Sequence, residues 1–292
     1  MKYEIPSYTA TWHNTTYPSI DPSQPSLSAQ GKTIVVTGAG SGIGRETCLA
    51  FAAAGASRIS LLGLQIETLT ETQALILEHY PATSATVYVT DVTDNEAVRK
   101  ASSAIGGWDV LILNAASAVD PSPIVEADID AWWKVMETNV KGMLLFAHHF
   151  LPTCHPRAVV INVAAQVVSM PVTPTNPTAG VSAYIVSKMA QVKLTEFISA
   201  EIGDGVAISV HPGIVHTELS DKSGLLKKAK PAMDDIKLSA HFLVWAASEE
   251  GRFLNGKFCM ANWDVSELKA KAGQIQESQL CTSGILGWPF RI

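Results

Sequence analysis

Tyr184 and Lys188 stand four residues apart in the run Tyr184-Ile185-Val186-Ser187-Lys188. On a helix that spacing puts both side chains on one face. An ammonium beside a phenol favours phenolate, which suits the tyrosine to take or give a proton. A second group of residues suits anions instead: Thr37-Gly38-Ala39-Gly40-Ser41-Gly42-Ile43-Gly44. Glycine is required where a side chain would collide with a pyrophosphate or keep a helix off its strand. The N-terminus of a helix then offers free N–H groups and positive dipole to the anion.

The elements that must position these residues can be read from the pattern around them. Short β-branched runs, Thr33–Thr37, Arg58–Leu62 and Ala85–Thr90, alternate with helical periods starting at Gly42, near Ile66 and near Asp94. The rhythm continues with strands Asp109–Leu113, Ala158–Val163, Val206–His211 and Lys257–Met260. Between them lie helices over Trp132–Phe150, Tyr184–Ile202 and Asp234–Ala247. Strands alternating with helices predict an α/β fold, because parallel strands need a crossover and a helix usually supplies it. The expectation is a single domain with a doubly wound, Rossmann-like, seven-stranded parallel sheet and helices on both faces. It spans 31–264, after an N-terminal arm over 1–30 that holds four prolines without a sustained period and before a C-terminal helix or tail over 265–292. The cradle falls at the first strand-to-helix junction, the context that gives such a motif its meaning.

From Gly31 to about Asp264 the chain resembles the short-chain dehydrogenase/reductase family. After the cradle come Asp91-Val92, Asn114-Ala115-Ala116, Asn139-Val140-Lys141-Gly142, the Tyr184/Lys188 pair and Pro212-Gly213-Ile214-Val215-His216-Thr217, in the family's order. The resemblance implies NAD(P) bound by Gly38, Ser41, Gly42, Ile43, Gly44, Asp91, Val92, Asn114, Ala115, Pro212, Gly213, Val215 and Thr217, with Tyr184 and Lys188 contributing. It also implies that Tyr184 exchanges the carbonyl or alcohol proton, that Lys188 holds ribose hydroxyls, and that Asn139 tethers a water linking Lys188 to solvent. A homodimer or homotetramer built on the helices over Trp132–Phe150 and Tyr184–Ile202 is the expected assembly.

Two departures bear on function. The family's serine after the fifth strand is absent, since the run reads Ile161-Asn162-Val163-Ala164-Ala165-Gln166. Ser169 is the alternative hydroxyl donor, with Gln166 and Thr173 behind it. Losing one donor to a developing oxyanion costs about 10²–10³ in rate. Ketone–alcohol interconversion on a lipophilic small molecule therefore stands beside a non-redox alternative, either a cyclase, lyase or dehydratase or a cofactor-sensing module. The second departure lies at the end of the second strand, where an acid would hold the ribose of NAD and a base the phosphate of NADP. Leu62-Gly63-Leu64-Gln65 offers neither, which leans slightly to NADP(H), with Ser41 and Gln65 as hydrogen-bonding groups for either form. Residues 253–265 resemble the end of fungal secondary-metabolism members, which implies a natural-product intermediate as substrate. The segment 218–233 stands where related proteins carry a lid, with Leu225, Leu226 and Met233 as apolar contacts.

Composition excludes other classes. The 292 residues carry 21 Lys and Arg against 27 Asp and Glu, a net charge of −6, so a nucleic-acid backbone finds little to neutralise. With 47% hydrophobic and 16% charged residues the chain can bury a large core. The four cysteines are scattered without a C-x-x-C pair, and adjacent His148 and His149 point apart on a helix, so no metal site is expected. No signal-like or membrane-spanning stretch is visible, which makes the cytoplasm the expected compartment. Asn14-Thr15-Thr16 matches a glycosylation sequon, read as chance without such a signal.

Overall fold

Along the first strand every residue of Thr33–Thr37 (β1) is buried, yet the side chains divide between two cores. Ile34 and Val36 join one hydrophobic cluster with Phe51, Ile161, Ile208 and Trp245, and Val35 joins another with Val98, Phe146, Phe150 and Ile198. A strand covered on both faces has no polar side to show, which is why its sequence is a continuous β-branched run. The computed structural model describes residues 7–172, 180–222 and 232–284. Its other strands are Arg58–Gly63 (β2), Ser84–Val89 (β3), Trp108–Leu113 (β4), Cys154–Val163 (β5), Val206–His211 (β6) and Phe258–Met260 (β7).

All neighbouring strands pair in parallel, in the order β3-β2-β1-β4-β5-β6-β7. The sheet is the expected seven-stranded, doubly wound one. Its order reverses between β1 and β4, which opens a crevice beyond their carboxyl ends, the usual place for a ligand in such sheets. Helices Gly42–Ala53 (α1), Ile66–His79 (α2) and Asn95–Ile105 (α3) follow the first three strands. Next come Ile129–Met136 (α4), Gly142–Phe150 (α5), Ser182–Glu201 (α6), Glu218–Lys222 (α7) and Ile236–Ala246 (α8). Two short helices, Val265–Ala270 (α9) and Ala272–Gln276 (α10), lie after the last strand.

Two elements differ from expectation. The helix expected through Trp132–Phe150 is interrupted at Glu137–Lys141, one π-helical turn joining α4 to α5. Such turns recur at functional sites because the slipped bonding re-aims the side chains within them. β5 begins at Cys154 rather than Ala158; its first four residues run beyond the buried core, opposite an irregularity at Trp108 and Val110 of β4. The arm over residues 7–30 is drawn into the fold. Ile20 and Leu27 are fully buried in the same cluster as Phe51, and Trp12 makes an antiparallel bridge with Trp263 after β7. Among the described residues no helix is long and apolar enough to cross a membrane.

Candidate active site

The cradle is shaped by contacts that leave no room for side chains. Gly38 and Gly42 have φ of +66° and +51°, a region costly for other residues. A Cβ on Gly44 would lie 2.1 Å from the Gly38 carbonyl oxygen, and one on Gly40 would lie 2.3 Å from Thr68 Oγ1. Asn114, at the end of β4, locks the turn from beside it: its Nδ2 donates to the Thr37 and Gly38 carbonyls at 3.0 and 3.3 Å. Thr37 Oγ1 in turn accepts from the amides of Asn114 and Ala115 at 2.9 and 3.0 Å. Ser41 caps α1 in extended conformation without a side-chain capping bond, and the first turn carries no acid. The helix thus presents its amino end to whatever enters the cradle.

Tyr184 and Lys188 share one face of α6. The Lys188 Nζ lies 5.7 Å from the centroid of the Tyr184 ring and donates to the Val163 carbonyl at the end of β5 at 2.7 Å. Burial acts on both groups: it pushes the phenol up to about 12 and the ammonium down to about 7. The tyrosine hydroxyl has no hydrogen-bond partner among the described residues. Tyr184 forms part of the wall of a cavity of about 550 Å³ between the loop after β4 and the start of α6. Ala118, Val119, Ala131, Trp132 and Val181 make that cavity mainly apolar, and Asp120 and Glu126 add carboxylates. Trp132 turns its indole N–H to Ser182 Oγ at 3.0 Å, so it packs within the chain, while Trp133 is 59% exposed.

The π turn holds Asn139 fully buried beneath this pair. Its Oδ1 accepts from the Ser117 amide at 2.7 Å, and its Nδ2 donates to the Ser117 carbonyl and to Ser187 Oγ at 3.0 and 2.9 Å. Its main-chain carbonyl accepts from Gln191 Nε2 at 2.7 Å. Asn139 thus braces the loop after β4 against α6, and Gln191 stands on its carbonyl. Gln191 belongs to no motif; its only signal was a polar residue one turn after Lys188 on a face that packs inward. Its Oε1 is buried without a partner among the described residues.

Ser169 is exposed, in a 3₁₀ turn over Gln166–Ser169, and its hydroxyl donates to the Gln166 carbonyl at 2.8 Å. To serve a substrate oxygen it must first give up that bond. Gln166, next to buried Ala165, has its Nε2 buried without a partner among the described residues, while its amide donates to His211 Nδ1 at 3.1 Å. Burial holds the His211 imidazole down to about 3, so it stays neutral. Thr173, Leu225 and Leu226 lie outside the described residues. Val92 packs on Gly142, where a Cβ would come within 3.0 Å of Val92 Cγ2, which explains the glycine three places after Asn139. Asp91 binds Thr93 through its amide and hydroxyl, both at 2.8 Å. Pro212, Gly213 and Val215 are buried at the end of β6, and Thr217 meets the cradle: a Cβ on Gly42 would lie 3.2 Å from its Cγ2.

These residues fit a dinucleotide: a cradle that any Cβ would fill, an open helix N-terminus above it, and a loop after β6 that reaches back to the same glycines. Residues 32–226 match the family model described as short chain dehydrogenase. The short chain dehydrogenase citE of Monascus ruber is 34% identical over 285 residues, covering 92% of this chain and 94% of that protein. A short chain dehydrogenase/reductase of Claviceps purpurea is 32% identical, covering 91% and 89%. Among solved structures, levodione reductase superposes with a TM-score of 0.71 at 22% identity, covering 85% of this chain and 99% of that one. A short chain dehydrogenase from Burkholderia cenocepacia, solved in complex with NADP, gives 0.70 at 22% identity, covering 82% and 99%. The chain belongs to the short-chain dehydrogenase/reductase family, whose members use NAD(P).

Proposed function

We propose that the protein interconverts a ketone and a secondary alcohol on a lipophilic natural-product intermediate, with Tyr184 handling the proton. The observation that carries this reading is the Tyr184 hydroxyl, free of protein partners among the described residues, at the wall of a mainly apolar cavity with the Lys188 ammonium beside its ring. A nicotinamide dinucleotide held by the Gly38–Gly44 cradle and the loop after β6 would supply or take the hydride. Burial keeps the phenol protonated, the form that gives a proton to a carbonyl oxygen. Lys188, held on Val163, keeps further N–H bonds for ribose hydroxyls and a positive charge that stabilises phenolate once the proton has left. Val119, Ala131 and Trp132 exclude water from the substrate.

Asn139 acts here as a brace between Ser117 and α6. Ser169 becomes a donor to the substrate oxygen only by releasing Gln166. NADP(H) is the preferred cofactor because no acid in Leu62–Gln65 repels a 2′-phosphate, with Ser41 and Gln65 exposed as its neutral partners. The nearby Arg45 is committed, donating to Glu71 at 2.8 Å and to the Gly40 carbonyl at 2.6 Å. The preference is therefore small, and titration with NADPH and NADH measures it. The cytoplasm is the proposed compartment. Trp133, Leu144 and Phe197, all more than half exposed on α4, α5 and α6, are the proposed apolar contacts of a homodimer or homotetramer.

Purified protein offered a panel of polyketide-like ketones should oxidise NADPH, and Tyr184→Phe should stop it. The alanine at 165 favours a second reading, elimination or cyclisation by the same tyrosine. A product of unchanged oxidation state, formed without net nicotinamide turnover, would decide for it.

A further inference from the structure

Asp234 is 8% exposed and has no cationic partner among the described residues, yet both its oxygens are engaged. Oδ2 accepts from the Ile214 amide at 2.7 Å, and Oδ1 accepts from Asn14 Nδ2 at 2.6 Å. The main chains repeat the pairing: the Asp234 amide donates to the Ile214 carbonyl and the Asp235 amide to the Asn14 carbonyl, each at 2.8 Å. Asp234 lies against the turn itself. Gly213 has φ of +95°, and a Cβ there would come within 2.8 Å of Asp234 Oδ2. The arm segment that brings Asn14 here is fastened on either side. The His13 amide donates to the Asn262 carbonyl and Asn262 Nδ2 to the His13 carbonyl, both at 2.8 Å. His13 Nε2 lies 3.0 Å from Asp264 Oδ2, and the Tyr17 hydroxyl donates to the Trp263 carbonyl at 3.2 Å.

We infer that Asn14 and Asp234 form a latch by which the N-terminal arm sets the loop Pro212–Thr217, and through it the affinity for the dinucleotide. Asn14 touches no part of the cradle. It orients Asp234, which fixes the Ile214 amide, and the loop beyond that turn carries Val215 and ends with Thr217 against Gly42. Asn14 and Asp234 are positioning residues. The inference rests on the proposed role of this loop in holding NAD(P).

The test uses the full chain and two readouts, hydrogen exchange at the Ile214 amide and fluorescence titration with NADPH and with NADH. Asn14 is exposed, so Asn14→Ala should fold. Losing a hydrogen bond to a charged group should weaken dinucleotide binding about tenfold and speed exchange at Ile214. Asn14→Asp, which sets a second carboxylate against Asp234, should do both more strongly, and in turnover the loss should fall on cofactor KM more than on kcat. Thr15→Ala, on the same arm with its side chain exposed, should do neither. Unchanged dinucleotide affinity in both Asn14 variants overturns the latch, whatever happens to exchange. A wild-type chain that binds neither dinucleotide overturns the proposed function, and the latch falls with it.

Discussion

At Lys188 the chain gives up charge stability to place a cation. Its pKa falls to about 7 from an ordinary 10.5 because the folded protein buries it. Between those two values the unfolded chain binds more protons than the folded one, so stability rises with pH across that window. The penalty is full below pH 7 and gone above 10.5. Below the ordinary 9.0 of the thiols that burial raises at Cys48 and Cys259, thermal melts of the cofactor-free protein should accordingly show a Tm climbing from pH 7 to about 8, and Lys188→Met should flatten the climb and melt higher near neutral pH. A Lys188→Met protein that keeps the full slope refutes this assignment of the charge. Tyr184→Phe removes the proton carrier: turnover should fall by about 10²–10⁴-fold, while dinucleotide affinity, to which the hydroxyl contributes one contact among many, should fall far less. The pair was legible in the sequence because its four-residue spacing stands in order among the other motifs; alone, that spacing describes an ordinary amphipathic helix. Gln191 was not, because a glutamine reaching the carbonyl of Asn139, 52 residues away, leaves no local mark.

Among the elements, the strands and the cradle could be read ahead of the structure because their causes are local. A β-branched run buried on both faces is fixed in composition, and a glycine set at a strand-to-helix junction has few other uses. The π turn at Glu137–Lys141 had no such signature, since the partners that hold its Asn139, Ser117 and Ser187, lie 22 and 48 residues away. The cradle also sets a prediction. Gly44→Ala would drive a methyl against the Gly38 carbonyl and Asn114 Nδ2, at 2.1 and 2.7 Å. Overpacking of this kind costs about 1–3 kcal/mol, so urea unfolding should show a lower midpoint, and NADPH titration should show binding lost. An alanine variant that binds normally would mean that the cradle can open, contrary to the contacts that define it.

For the whole molecule, sheet order followed from chemistry that the sequence displays, whereas assembly depends on surfaces. Trp133 and Phe197 are 59% and 58% exposed. Large apolar groups in that state mark contact surfaces when they gather on one face. If α4, α5 and α6 build the proposed oligomer, Phe197→Glu should shift the mass measured by light scattering towards the monomer without lowering the helical signal. The arm shows the limit of sequence reading at this scale. Four prolines and many hydroxyl residues describe a segment without its own core, and nothing local tells that Ile20 and Leu27 complete the core of another.

The placement of that arm also bears on the order in which the molecule can form. Asn14 finds Asp234 across 220 residues, the Ala10 amide finds Glu267 across 257, and Tyr8 finds Gln274 across 266. Contacts this distant in the chain close late, after local units have already formed. On the ribosome, the glycine cradle and the first βα units can be built while the arm still has nothing to bind. A stalled chain ending before Trp263 should therefore resist protease through its sheet core yet lose its first residues readily. The arm, made before the sheet it fastens to, would be among the last parts to find its place.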